Sequence, residues 1–201
     1  MMRPALSVPF VALAAALAPG LARAADVDHP AYVSWSKQPV GTQIKFRSET
    51  DSNGHILTTT TTTILKELKP DRAIFQVQRV SDATGREVTS IPERSVLVRK
   101  FPLFPGVKRE DVGKPTGAVD QGEETLRLAG RELRTVWFDT KTKGDGGLDV
   151  FSRTWMTDAA PGRLIKSVTR IPQAKTVVTV ELTEWAAPAA GDAAPAAPIR
   201  K

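Results

Sequence analysis

Two histidines, His29 and His55, are the only imidazoles in the 201-residue chain. A metal centre or a general base usually sets such a ring beside carboxylates or a second histidine. Neither histidine has that company locally, and both read as turn residues facing solvent. Glu123-Glu124 supplies two adjacent carboxylates, the raw material of acid–base catalysis. On a strand, however, adjacent side chains point to opposite faces, so this pair makes no dyad without distortion. "KGDGGLD" (143–149) has the glycines of a phosphate cradle but no following helix with Lys and Ser/Thr, and reads as a hairpin loop. No G-x-S-x-G elbow occurs, and Ser34, Ser36, Ser81, Ser90 and Ser95 have no base beside them. The chain has no cysteine, which excludes a thiolate nucleophile, a thiolate metal site, a disulfide and a lipid-modified N-terminal cysteine. The expectation is a protein with no catalytic residues, metal or cofactor. Because triads assemble in space, a hydrolase built from scattered Asp, Glu and Ser stays as the least favoured alternative.

The elements that would position any site are strands. Turn signals recur at short intervals: Asp51-Ser52-Asn53-Gly54, Lys69-Pro70-Asp71-Arg72, Asp82-Ala83-Thr84-Gly85, Ala129-Gly130, Gly144 to Gly147, Asp158 to Gly162 and Pro172 to Lys175. Between them lie segments rich in Thr, Val, Ile and Phe, at about 42–51, 55–68, 73–81, 86–100, 122–129, 131–143, 148–157, 163–171 and 176–185. No sustained helical period interrupts them, although the lead at 28–41 has room for one helical turn. The fold class is all-β with little helix: a long curved antiparallel meander, forming a half-barrel or wrapped sheet. "KFPLFPGVKREDVGKPTGAVDQ" (100–121), with Pro102, Pro105 and Pro115, suits neither strand nor helix and is expected to cross the sheet as a strap.

Six consecutive threonines, Thr58 to Thr63, could be mistaken for low-complexity sequence. With Asn53-Gly54 as the loop of a type I′ hairpin, Glu49 opposes Thr58, Arg47 opposes Thr60, Phe46 opposes Thr61 and Ile44 opposes Thr63. Thr59, Thr61 and Thr63 then share one face with Ile44, Phe46, Leu57 and Leu65, while Thr58, Thr60 and Thr62 face the other way with Lys45, Arg47 and Glu49. The run is an ordinary β-branched strand. Its apolar-side hydroxyls need hydrogen-bond partners, the one hint of a polar-lined interior. A second hairpin turning at Ala129-Gly130 sets Leu126 against Leu133 and Arg127 against Glu132. Trp137, Trp155 and Trp185 are expected as core or rim residues.

Arg3 precedes an apolar stretch from Ala5 to Leu21, followed by Ala22-Arg23-Ala24. Pro9, Pro19 and Gly20 interrupt the stretch, so residues 1–24 read as a removable signal peptide and not as a membrane span. A single β domain is expected over 25–185 and a disordered Ala/Pro-rich tail over 186–201. Of the formal charge of +6, Arg3 and Arg23 leave with the leader, so the mature chain carries +4. Its cations are dispersed among Asp and Glu, which argues against nucleic acid as a partner.

Three stretches carry a resemblance: "HPAYVSWSKQPVGTQIKF" (29–46), "GEETLRLAGRELRTVWF" (122–138) and "SRTWMTDAAPGRLIKS" (152–167). They resemble a broad group of exported bacterial proteins of unknown function, in which a Trp and a Val-Gly precede the first strand, a Gly-x-Glu-x-Leu hairpin lies mid-chain, and a Trp strand leads into a Pro-Gly turn. At fold level the meander is similar to lipoprotein-localisation-type carriers, half-barrels that hold acyl chains in a concave sheet. The clear helices that plug those barrels are not visible in this sequence.

The resulting expectation is a non-enzymatic periplasmic or secreted β-domain that binds an apolar or amphipathic ligand, such as a lipid or small molecule, in a concave sheet. Ile44, Phe46, Leu57, Thr59, Thr61, Thr63, Phe75 and Val77 form the expected interior patch, with Phe101 and Phe104 of the strap as its cover. The alternative is a structural or protein-interaction module of the cell envelope that uses a sheet edge.

Overall fold

The computed structural model describes residues 26–83, 86–103 and 106–188. The stretch expected to be a signal peptide, Phe104 and residues 189–201 lie outside the described residues. In chain order the elements are β1 (Asp26–Asp28), α1 (Pro30–Trp35), β2 (Gln43–Ser52), β3 (His55–Leu68), β4 (Arg72–Ala83), β5 (Arg86–Thr89), β6 (Glu93–Val98), β7 (Lys100–Pro102), β8 (Ala118–Leu128), β9 (Arg131–Lys143), β10 (Asp149–Met156), β11 (Leu164–Ile171) and β12 (Thr176–Ala186).

The fold is all-β. Ten strands form one antiparallel sheet in the order β5-β4-β3-β2-β12-β11-β10-β9-β8, with β6 also paired to β4; β1 and β7 make a separate two-stranded ribbon. Apart from the β4–β6 pair, neighbours in the sheet are neighbours in sequence except at β2 and β12, where the beginning and end of the meander meet. The sheet is open, with β5 and β6 along one edge and β8 along the other.

Local chemistry explains the registers. Asn53 and Gly54 both take positive φ (53° and 84°), as a type I′ turn requires, and the Asp51 carboxylate accepts a hydrogen bond from the Gly54 amide at 2.9 Å. The resulting pairs include Glu49 with Thr58, Arg47 with Thr60, Phe46 with Thr61 and Ile44 with Thr63. Ala129 and Gly130 repeat the positive-φ turn, placing Leu126 opposite Leu133 and Arg127 opposite Glu132. Register shifts at Leu65/Glu67, Trp155/Met156 and Leu182/Glu184 each insert a residue, which bends the strands at one end of the sheet.

Two expectations need correction. Residues 86–100 are not one strand: β5 and β6 pair separately with β4. Pro92 lies in the gap between them, where it lacks the amide hydrogen a ladder needs. The strap is also shorter than 100–121, because Lys100–Pro102 pairs with β1 and β8 begins at Ala118.

The packed core lies at the bent end. Leu65, Ile165 and Leu182 are fully buried, together with Ile44, Phe75 and Leu133. Trp155 and Trp185 pack against this cluster. The six-residue α1 plugs it, burying Tyr32, Ser34 and Trp35. His29 caps the helix, its Nδ1 accepting from the Ala31 amide at 3.2 Å, and Pro30 occupies the first turn, where no amide hydrogen is missed. The Trp35 ring lies 4.8 Å from that of Phe75, and the Tyr32 hydroxyl donates to the Lys69 carbonyl at 2.6 Å. The face of the sheet against which α1 packs is termed the inner face.

Candidate functional site

The inner face contains the expected patch in the expected register, but its members meet different environments. Ile44 and Phe75 are 4% and 5% exposed and belong to the protein's own core. Phe46 and Val77 pack against that core from its margin. Along β3 the stripe then opens: Leu65 is fully buried, Thr63, Thr61 and Thr59 are half-buried, and Leu57 is 41% exposed. Phe101 lies on the β1–β7 ribbon, edge-on to the His29 ring at 5.4 Å. With Leu103, Val107 and Val112 it lines a cleft of about 460 Å³ in the strap. Phe104 lies outside the described residues.

Of the apolar-side threonine hydroxyls, that of Thr59 is answered by a neighbouring strand. Thr59 Oγ1 and Ser81 Oγ are 3.1 Å apart. The same cross-strand pairing recurs at Ser52 with Thr176 (2.9 Å), Ser152 with Thr169 (2.8 Å) and Thr154 with Ser167 (3.3 Å). Following the registers, one line runs across the sheet through Ser81, Thr59, Ser48, Val180, Ser167, Thr154 and Phe138. A hydroxyl that bonds sideways to its neighbour has much of its hydrogen-bonding capacity met within the sheet. What remains on the surface is largely threonine methyl and valine. Sequence reasoning missed Ser81, Ser152, Thr154, Ser167 and Thr169. The signal was available once the turns at 158–162 and 172–175 were used to fold the neighbouring strands together.

Three segments lie over this face. The β1–β7 ribbon is tied down by Arg99, whose guanidinium donates to the Asp28 carboxylate at 3.1 and 3.2 Å and to the Pro70 carbonyl at 3.3 Å. The Arg99 hydrogen bond, followed by the bond and charge of Lys100, holds the Asp28 carboxyl below its ordinary range. The strap then passes Gly113, whose carbonyl accepts from Arg163 Nη1 at 3.0 Å. A Cβ at Gly113 would lie 2.7 Å from Pro30 Cγ, so only glycine allows this approach, and its φ of +86° suits glycine as well. Further on, Gly117 approaches Thr142 of β9. The third segment is the 158–163 turn, anchored by Ser34 Oγ, which accepts from the Gly162 amide at 2.9 Å.

These covers leave space beneath them. A cleft of about 320 Å³ is lined by His29, Ala31, Gly113, Pro115, Thr154 and Met156. It adjoins a second of about 380 Å³ along Arg134, Val136, Phe138 and Arg163, the two sharing Met156 and Arg163. Burial, and then the charge of Arg163, push the His29 pKa below the usual histidine value. Arg163 is itself held by Asp158 at 2.6 Å. The walls are therefore mixed, with apolar and hydroxyl-bearing strands on one side and a cationic corner on the other.

Glu123 and Glu124 are not set side by side. Glu123 pairs with Arg134, whereas Glu124 accepts from Trp155 Nε1 at 2.8 Å. The two carboxylates thus serve opposite faces. Among the described residues no group of three or more His, Cys, Asp or Glu could hold a metal ion.

No protein-family model matches the chain, and no curated protein matches it. Among solved structures, it is similar to an exported protein with a YmcC-like fold from Bacteroides fragilis, at 10% identity, over 74% of this chain and 97% of that one, with a TM-score of 0.40. It is also similar to a lipoprotein from Parabacteroides distasonis, at 9% identity, 74% and 96% coverage and a TM-score of 0.42. The Pseudomonas aeruginosa MucA/MucB complex matches at 13% identity over 81% of this chain and 56% of that one, with a TM-score of 0.40.

Proposed function

We propose that this is an exported protein of the cell envelope, periplasmic or secreted, that catalyses no reaction and binds an apolar or amphipathic ligand between its strap and the inner face of its sheet. The observation that carries this reading is the cleft beneath the covers. Strap, helix and turn span Thr154 and Met156 without filling the space above them. The sheet beneath them offers Thr154, Met156, Val136 and Phe138 as an apolar floor, with Arg163 and Arg134 at its margin, a mixed lining that suits an amphipathic ligand. At about 320 and 380 Å³, the adjoining clefts fall within the range of small-molecule sites. Export is supported by the leader-like N-terminus, and among the described residues no helix is long and apolar enough to cross a membrane.

A second reading, a protein-interaction module, has its own observation. The β5–β6 edge exposes Val88 (61%), Val96 and Val98, with Ile91 (85%) between the two strands, and an open edge can accept a further strand.

Native mass spectrometry with lipid extraction, on the protein purified from its host envelope, separates the two. Stoichiometric co-purification of a lipid or small molecule supports ligand carriage. A clean unliganded mass, with cross-links to an envelope protein through 86–98, replaces it with the interaction module.

A further inference from the structure

The opposite, outer face carries a different site. By alternation, β9 presents Trp137, Asp139 and Lys141 there, β10 presents Phe151, Arg153 and Trp155, and β11 presents Val168 and Arg170. All of these except Trp137 line a cleft of about 530 Å³, whose rim includes the 71% exposed Val119.

Its floor is locked. The Arg153 guanidinium lies 4.2 Å from the centre of the Trp137 ring and grips both Asp139 oxygens, at 2.7 Å each. The Arg153 hydrogen bond holds the Asp139 carboxyl below its ordinary range, so it stays ionised and occupied. Asp149 is engaged by Lys143 at 2.8 Å and Gln173 at 3.1 Å, Glu124 accepts from Trp155, and Asp120 lies opposite Asp139 on β8.

The rim differs. Phe151 is 39% exposed, an unusual setting for so large an apolar ring, and its cross-strand partners are Lys141 on one side and Arg170 on the other. The Lys141 ammonium lies 5.4 Å from the Phe151 ring. Among the described residues neither Lys141 nor Arg170 forms a salt bridge, in contrast to Arg153 and Lys143. Two cations outside any salt bridge thus flank Phe151, with Val168 beside them, and Arg153 and Lys143 occupy the Asp139 and Asp149 carboxylates.

The geometry points to this outer cleft as a binding site for an amphipathic organic anion, with its apolar body along Phe151 and Val168 and its anionic group between Lys141 and Arg170. The site is independent of the space beneath the strap, and either can stand without the other.

Calorimetric titration with decanesulfonate, decyl maltoside and decyltrimethylammonium, all below micelle-forming concentrations, tests it. Decanesulfonate is expected to bind at least about tenfold more tightly than the other two, the size a charge-assisted contact supplies. Raising salt from about 0.05 M to about 0.5 M should weaken only the anion. The K141E/R170E variant should lose the preference while keeping its circular dichroism and melting midpoint, since both side chains are exposed. Thr154→Phe, which fills the cleft beneath the strap, should leave decanesulfonate affinity within about twofold. Equal binding of the three head groups, or an anion affinity unchanged in K141E/R170E, overturns the proposal. Loss in Thr154→Phe alone overturns it too, and moves the ligand to the inner cleft.

Discussion

The two ends of the inner face use the same strands for opposite purposes. At the bent end, β3 contributes Leu65 to a core with Ile165, Leu182 and the rings of Trp35 and Phe75. Four to eight residues earlier on the same strand, Thr61, Thr59 and Leu57 lie on a half-open surface. Strand alternation is identical at both ends, so alternation does not make the difference. Bulges and the α1 plug do: they fold one end around itself and leave the other as a single layer. The bent end provides the stability that allows the open end to keep an unfilled surface.

The largest expected effect breaks the bent end. Leu65→Ala removes a fully buried side chain from the centre of the cluster and is expected to cost about 2–5 kcal/mol in urea denaturation. A cost below about 1 kcal/mol would mean that this end collapses as easily as the open one, and the contrast between them would fail. Gly113→Ala comes next. Its Cβ would meet Pro30, at a φ that L-residues rarely adopt, so about 1–3 kcal/mol of strain is expected. Because that strain falls on the strap, amide exchange should speed up at 106–117 and α1 more than in β3.

Legibility in the sequence follows the same division. The β2–β3 register was readable because two independent signals agreed, the Asn-Gly turn and the charged partners of every second threonine. The β2–β12 pairing joins residues over 120 positions apart, with no turn between them to announce it. The plug was illegible for another reason: six helical residues are too few to show a period. Pro92 is a strand breaker, but the β-branched Val88, Thr89 and Ile91 before it and Val96 to Val98 after it hid the interruption. Arg163 gave no signal in sequence that it would bond the Gly113 carbonyl fifty positions away.

A smaller effect concerns the pH response of the cover. His29 must keep Nδ1 unprotonated to accept from Ala31, and burial with the nearby Arg163 lowers its folded pKa. As pH falls, the unfolded chain binds this proton first. The contribution is therefore present above about pH 6.5 and is lost as pH falls through the folded value. The neighbouring Asp28, held low by Arg99 and Lys100, stays ionised across this window and does not produce the same trend. His29→Asn keeps a capping acceptor without the titration. Its melting midpoint should drop less than that of the unaltered protein between pH 7.5 and 5.5. Equal drops would assign the pH response to other groups.

The smallest effect sharpens the description of the open end. Thr59→Val and Ser81→Ala each remove one hydroxyl of a half-buried pair, and each is expected to cost under about 1.5 kcal/mol, because the partner left behind still reaches water. The double variant should cost less than the sum of the singles, since neither hydroxyl is then left without its partner. Stability is only half of the test. If the mutually bonded hydroxyls serve to make this surface tolerable to an apolar ligand, replacing both with apolar atoms should preserve or tighten binding of any lipid that co-purifies. A double variant that loses its ligand while keeping its melting midpoint would show the hydroxyls to be direct contacts, and the inner face would then be selecting a polar molecule.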